Sequence, residues 1–276
     1  TSDDISGTLP ERQTGDIVLY ADMNANGSED VVWFDMAGQV QYLELFPVRP
    51  NLLSRIENGI GFVTNVTYTT SAEEEARARA AGDEWDKKLS IPMNIVSKTD
   101  TFVTLTGGED GSGLHDIDTY VYRDGFYDGV EKQFRGFEPV EVTQMANMAQ
   151  EGGLKTLVYH LGEDKPHFNG LLRFSVTRSG ARVIDEVTNT YEECDLAGIP
   201  SPSALEEQGR FGVYFPCLTS AEFLIKEGAS EAQWVTIRGE SEFDGYGNVT
   251  LASNRGDVAV TGDEAFTETE YYYPGD

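Results

Sequence analysis

Residues 118–140 read DTYVYRDGFYDGVEKQFRGFEPV, and the spacing of turn residues in this stretch limits what the chain can build. Tyr120 and Tyr122 alternate like one face of a strand, Arg123-Asp124-Gly125 is a turn cue, and Phe126-Tyr127-Asp128-Gly129 repeats it at once. Reversals this close together suit short strands whose aromatic side chains seal the hairpins. Phe134, Arg135 and Phe137 then flank Gly136, where a missing side chain lets the backbone turn sharply or pass close to a neighbour. The same grammar holds along the chain: 29 glycines, 13 tyrosines and 14 phenylalanines favour tight turns between aromatic-bearing strands over long helices.

The run Tyr120-x-Tyr122-Arg123-Asp124-Gly125-x-Tyr127-Asp128-Gly129-x-Glu131-x-x-Phe134-Arg135-Gly136-Phe137 resembles the central region of the B component of bacterial insecticidal toxin complexes. That region is shared with Salmonella-plasmid-virulence-type proteins and is related to Rhs and tyrosine-aspartate-repeat proteins. The likeness extends to Leu52-Leu53-x-x-Ile56-x-Asn58-Gly59-x-Gly61, to Val66-Thr67-Tyr68, and to the repeat-like Phe243-Asp244-x-x-Gly247-Asn248-Val249. It implies a segment of a large β-rich assembly in which B and C components form a hollow shell around a toxic polypeptide. The fold expected is mainly β, with repeated antiparallel hairpins in an elongated or shell-like segment, a partial propeller-like element and one short surface helix. Two parts are expected: residues 1–50 as a partial propeller-like opening segment, and residues 51–276 as a β-rich toxin-shell middle region with a helical insertion near 72–89.

Within the first part, Ile17-Val18-Leu19-Tyr20 and Val31-Val32-Trp33-Phe34 read as strands around an oxygen-rich loop. Alternate positions Asp22, Asn24 and Asn26 can converge where Gly27 tightens the loop, with Asp30 closing the far side, and hard cations such as Ca2+ take several oxygen ligands. The loop resembles the calcium loops of integrin-type propellers, with Asn26 where an aspartate is usual. Two readings stand: a Ca2+ site formed by Asp22, Asn24, Asn26 and Asp30, or an asparagine/glycine turn held by its own side-chain hydrogen bonds. In residues 39–45, Val40, Tyr42 and Leu45 are expected to contribute to burial.

The exception to β composition is AEEEARARAAGDEWDKKL at residues 72–89. Ser71 and Glu74 can form a capping box, and Glu73 to Arg77 and Glu75 to Arg79 have favourable four-residue spacing. Further strands are expected over residues 62–69, 95–106, 154–160, 170–176, 182–191, 211–215, 222–225, 234–237 and 268–273. Residues 1–15 read as a polar tail, residues 107–113 as a glycine connector without the ending of a phosphate-binding loop, and residues 198–209 as a loop insertion or boundary.

Forty-eight acidic against twenty basic residues give a formal charge of -28, which repels phosphate backbones and anionic membranes. Nucleic acid and direct membrane insertion are therefore not expected. Cys194 and Cys217 are either bridged or a reduced pair, since two cysteines neither form a scaffold nor a CxxC motif. The polar start, which is no signal peptide, and the aromatic end are expected of a segment cut from a longer, secreted or cell-surface-associated bacterial protein.

His115, His160 and His167 lie in no pattern diagnostic of a triad or zinc site, and Glu163, Asp164, His160 and His167 form only a weak hydrolase candidate. No catalytic residues are expected. The leading function is a structural segment of a toxin-delivery or cargo-encapsulating assembly, with the remainder of the parent polypeptide, the toxin-complex C component and cargo as partners. The alternative is a calcium-dependent extracellular binding or adhesion module.

Overall fold

The computed structural model describes residues 13–47, 49–89, 91–104, 115–146, 151–201, 204, 212–227 and 230–273. The glycine connector at 107–113 lies outside them, as do most of the polar tail and much of the 198–209 boundary. The chain divides into two compact units, Thr1–Thr119 and Tyr120–Asp276.

The first unit opens with β1 (Ile17–Ala21), β2 (Asp30–Phe34) and β3 (Val40–Leu43), an antiparallel sheet in the order β1-β2-β3. The central strand carries the burial: Val32 and Asp30 are both 0% exposed. Val40, Tyr42 and Leu45, expected to be buried, are exposed instead. The alternation of β3 follows the pleat, but the face that carries Val40 and Tyr42 is left exposed, so the pattern gains no burial. The Asp35 carboxylate closes the β2–β3 turn by accepting from the N–H groups of Ala37 and Gln39 at 2.8 Å each.

The unit continues with β4 (Arg55–Glu57), β5 (Phe62–Thr70), α1 (Ser71–Ala80), β6 (Asn94–Val103) and the first five residues of β7 (His115–Tyr122), whose last three fall in the second unit. Strands β4, β5, β6 and β7 pair consecutively and antiparallel. Val63, Ile95, Phe102 and Trp85 are buried there. The helix is shorter than the expected 72–89, and its cap is one residue earlier. Thr70 accepts from the Glu73 N–H while the Glu73 carboxylate accepts from the Thr70 N–H, completing the capping box. Glu73 is thereby engaged, so Arg77 pairs with Glu74 at 2.7 Å rather than with Glu73; the expected Glu75–Arg79 pair forms at 2.6 Å. Ser71 is drawn elsewhere, accepting from the Met93 N–H at 2.9 Å. The helix stops at Gly82, φ +80°, where Gly82 and Asp83 donate to the Arg79 and Ala78 carbonyls.

The second unit holds a two-stranded ribbon, β8 (Phe126–Asp128) with β9 (Gln133–Gly136), and a consecutive antiparallel run. That run comprises β10 (Val140–Gln144), β11 (Gly153–Tyr159), β12 (Leu172–Ser179), β13 (Arg182–Glu193), β14 (Pro216–Ile225), β15 (Val235–Phe243), β16 (Val249–Asp257) and β17 (Ala265–Glu268). The β12–β13 reversal uses two residues, with Gly180 at φ +58°, the left-handed geometry that matches strand twist. Cross-strand rows such as Ser175, Val187, Phe223 and Ile237 fix the register. Among the described residues, Phe137, Leu161, Phe168, Val176 and Cys217 are the buried apolar groups of this unit.

Two strand expectations fail here. Residues 212–215 are not strand, because β14 begins at Pro216, and β17 ends at Glu268, before the Tyr271-Tyr272-Tyr273 run. Cys194 and Cys217 are bridged, with Cα atoms 5.9 Å apart. No described helix is long and apolar enough to cross a membrane.

Candidate functional site

The β1–β2 loop does gather Asp22, Asn24, Asn26 and Asp30, and it does so by turning its backbone onto their oxygens. Asp22 accepts from the N–H groups of Asn26 (3.1 Å) and Gly27 (2.8 Å), and the Asn24 side-chain oxygen accepts from the same Asn26 N–H at 3.1 Å. The Asn26 oxygen accepts from Ser28 N–H at 2.8 Å, while its amide nitrogen donates to the Glu44 carboxylate and the Phe46 carbonyl, both at 3.0 Å. Gly27 is obligatory: its φ is +83°, and a Cβ there would lie 2.4 Å from the Asn94 amide nitrogen. Asp30 accepts from the Met23 N–H at 3.0 Å through one oxygen, and its other oxygen, Oδ1, is buried without a hydrogen-bond partner. A buried carboxylate with an orphan oxygen is costly unless a donor or cation meets it. Among the described residues no three carboxylate, imidazole or thiolate groups gather as a metal site. Any cation here would depend on the two asparagine oxygens.

Within residues 118–140 the β8–β9 hairpin closes around the buried guanidinium of Arg135. The Asp128 carboxylate accepts from the N–H groups of Val130 (2.9 Å) and Glu131 (3.0 Å), which makes the β8–β9 turn, and from Arg135 at 3.1 Å. Arg135 is 8% exposed and also donates to Glu131 at 2.6 Å. The Glu131 N–H bond and then Arg135 outweigh partial desolvation and hold the Asp128 pKa below its ordinary value. Phe137 packs against Tyr122 and Phe134 with ring centroids 5.0 and 5.1 Å apart. The left-handed positions are Asp124 (φ 48°), Lys132 (φ 56°) and Gly136 (φ 129°), so of the three glycines in this stretch Gly136 carries the special conformation.

A second carboxylate turn stands at Asp244, in the repeat-like Phe243-Asp244-x-x-Gly247-Asn248. Its Oδ1 accepts from the N–H groups of Tyr246 (2.8 Å) and Asn248 (2.9 Å), and its Oδ2 accepts from the Tyr273 hydroxyl. Asn248 also donates to the Tyr273 oxygen at 2.7 Å, and the Tyr246 and Tyr273 rings lie 4.2 Å apart. Desolvation pushes the Asp244 pKa up, but Tyr273, the two backbone donors and the Asn248 amide together pull it down to about 2. This site escaped sequence reasoning because its key donor comes from a residue 29 positions away.

The histidines serve three different contacts. His115 meets Asp100 at 2.6 Å across the β6–β7 pair, with Lys98 on the other Asp100 oxygen at 3.0 Å. His160 packs on Phe168 and Tyr191, and burial followed by the Arg173 charge lowers its pKa. His167 stacks on Tyr214 and lies 3.1 Å from Glu193, which Lys165 also contacts at 2.9 Å. Glu163 and Asp164 occupy an exposed turn.

Two outcomes follow from these geometries. Gly136→Val is expected to destabilise the protein by about 1 kcal/mol or more, since valine must enter a left-handed conformation and its Cβ would touch Leu161 at 3.4 Å; urea unfolding midpoints measure it. Because the Asp244 pKa is depressed, its contribution to stability is complete above the ordinary value of 3.8 and is lost as pH falls toward about 2. Tyr273→Phe, which removes one of the donors that depress this pKa, should therefore lower stability at every pH above the ordinary value, with the deficit shrinking as pH falls toward about 2; urea unfolding midpoints across that range measure it.

Solved structures similar to this chain at 16% identity share its fold. Among them are a crystal structure of TcdB2-TccC3-TEV (TM-score 0.69, covering 89% of this chain and 14% of that one), the Photorhabdus luminescens Tc holotoxin pore (0.69, 89% and 14%), and TcdB2-TccC3 without its hypervariable C-terminal region (0.68, 97% and 15%). The chain thus spans about one seventh of the length of these matched chains. No curated protein matches it. The family described as the insecticide toxin TcdB middle/N-terminal region matches residues 4–161, more than half of the sequence, and this chain belongs to that family.

Proposed function

We propose that the chain is a structural segment of a toxin-delivery assembly, contributing paired strands to a wall around a separate toxic cargo. The observation that carries this reading is the consecutive antiparallel run β10 to β17, in a chain of the TcdB middle/N-terminal family. Interior strands in such a run bond on both edges, so it encloses by continuity of the backbone and needs no catalytic pocket. The solved proteins of the same fold are named as complexes with TccC3, which supports a C component, cargo and the remainder of the parent polypeptide as partners. On this reading the chain is not an enzyme, binds no nucleic acid and does not itself insert into membranes. It works in a secreted or cell-surface-associated protein. The Asp244 turn is then a degenerate tyrosine-aspartate-type repeat, the relation to Salmonella-plasmid-virulence and Rhs proteins holds, and β1 to β3 are a partial propeller blade. The charge of -28 suits a basic cargo or partner.

Sedimentation of residues 1–276 mixed with separately folded flanking segments, together with a cell-toxicity assay, tests the carrier role. Association without toxicity of the isolated chain is expected. Toxicity of the isolated chain, or no association with correctly folded flanks, overturns it.

A second reading, calcium-dependent binding or adhesion, is favoured by one observation, the orphan buried Oδ1 of Asp30. Asp22, Asn24, Asn26 and Asp30 would hold the ion, which supplies the positive charge that the loop's carboxylates otherwise lack. Calorimetric titration should give a calcium heat that Asp30→Asn abolishes. Absence of that heat at moderate ionic strength removes metal control and leaves the carrier role standing.

A further inference from the structure

The longest connection in the β10–β17 run joins β13 to β14, and its two ends are tied together covalently. Cys194 follows the last residue of β13, Cys217 is the second residue of β14, and the two lie 23 positions apart. The segments beside the bond are seated on neighbouring turns by small contacts. The Cys194 N–H donates to the Phe215 carbonyl at 2.9 Å, and the Ala197 N–H donates to the Gly245 carbonyl. Tyr214 lies flat on His167, ring centroids 4.3 Å apart and planes 2° from parallel. Phe215 fills the space above Gly247, where a Cβ would come within 2.6 Å of its ring, and Ala197 does the same above Gly245 at 2.9 Å.

The ladder beneath these arms has a built-in boundary. Six pairs, from Asp185↔Ile225 to Thr190↔Ser220, run in one register; a bulge follows between Thr190 and Tyr191, and only Tyr191↔Leu218, Glu192↔Cys217 and Glu193↔Pro216 lie beyond it. A bulge interrupts the ladder, so these three pairs cannot borrow full cooperativity from the six. Tyr191 is also anchored by its hydroxyl on the Leu172 carbonyl, and Glu193 by Lys165; the covalent tie adds to these contacts by removing the freedom of a long loop. The two residues are also unequal: Cys217 is 1% exposed, whereas Cys194 is half-buried.

We propose that the Cys194–Cys217 bond is a thiol-sensitive clasp, opened by a dithiol reductant, that frees both arms and the last three strand pairs as far as the Thr190/Tyr191 bulge and leaves the six pairs beyond it intact. The reductant's thiolate attacks the sulfur of Cys194, the less buried residue of the two, forming a mixed disulfide, while Cys217 leaves as a thiolate and takes up a proton. The reductant's second thiol then displaces Cys194, so two electrons pass to the protein, which ends with two thiols, and the reductant ends as a cyclic disulfide. Release uncovers Gly245 and Gly247 on the turn that holds Tyr273 through Asp244 and Asn248. The inference does not depend on the carrier role.

Hydrogen exchange read by mass spectrometry, on the intact chain with and without dithiothreitol, tests it. On reduction, the amides of residues 191–194 and those flanking Pro216 from Tyr214 to Leu218 should exchange on the order of tenfold faster or more, and chymotrypsin should cut after Tyr214. Residues 185–190 and 220–225 should keep their protection, and the far-ultraviolet circular dichroism should stay β. Cys194→Ser in buffer without reductant should reproduce the reduced pattern; if that variant does not fold, the reduced wild-type protein gives the same readout. Unchanged exchange on reduction, loss of protection throughout β13 and β14, or two thiols titrating in the untreated oxidised protein would each overturn the proposal.

Discussion

A strand's backbone donors and acceptors must find partners, and the second unit supplies them by reversing the chain after each strand from β10 to β16 so that every strand of the run pairs with the next. The reversals are therefore the component on which the sheet depends. Gly180 takes a left-handed φ to close a two-residue loop, and Asp244 closes the β15–β16 turn with its carboxylate. Asp128 applies the same carboxylate device in the β8–β9 ribbon. Side-chain oxygens thus stand in where backbone partners are absent, and this accounts for aspartates in a chain already rich in negative charge.

That charge is managed locally. Arg238 meets Glu222, Arg255 meets Glu240, Lys226 meets Glu186 and Arg173 meets Glu138, each pairing residues from different strands or from a strand and a turn. Most of these groups are exposed and contribute little individually. Arg135 differs, because its guanidinium is withdrawn from water and meets two carboxylates of the same hairpin through one terminal nitrogen, while its Nε is buried without a hydrogen-bond partner. Removing the arginine would leave those acids facing each other across a tight turn.

Much of this was legible in the sequence because it is local. The strand-loop-strand at 17–34, the hairpin at Ser179-Gly180 and the turn after Phe243 all lie where β-prone runs meet turn residues. The capping box was read one residue late because Thr70 and Ser71 are both good caps with acids three positions on, and only the Met93 N–H waiting for Ser71 separates them. Val40 and Tyr42 carried a burial pattern, but alternation reports the pleat and not whether a layer covers it. The Asp22 to Asp30 loop was legible as a cluster of oxygens; that the backbone donors of the same loop occupy most of them was not. Tyr273 on Asp244, Tyr214 on His167 and the cysteine bridge join residues far apart in sequence, and no spacing rule announces them.

Register breaks recur in the large run: after Val158, Thr177, Thr190, Ile237 and Glu242 the pairing slips before resuming. Each slip adds an unpaired residue, and side chains beyond it resume alternation in a new phase. A deletion or insertion of one residue near such a point can be absorbed by removing or moving the slip, without turning the remainder of the strand inside out. Relatives of this chain can therefore differ in strand length while keeping the same faces, a freedom that a perfectly regular ladder would deny them.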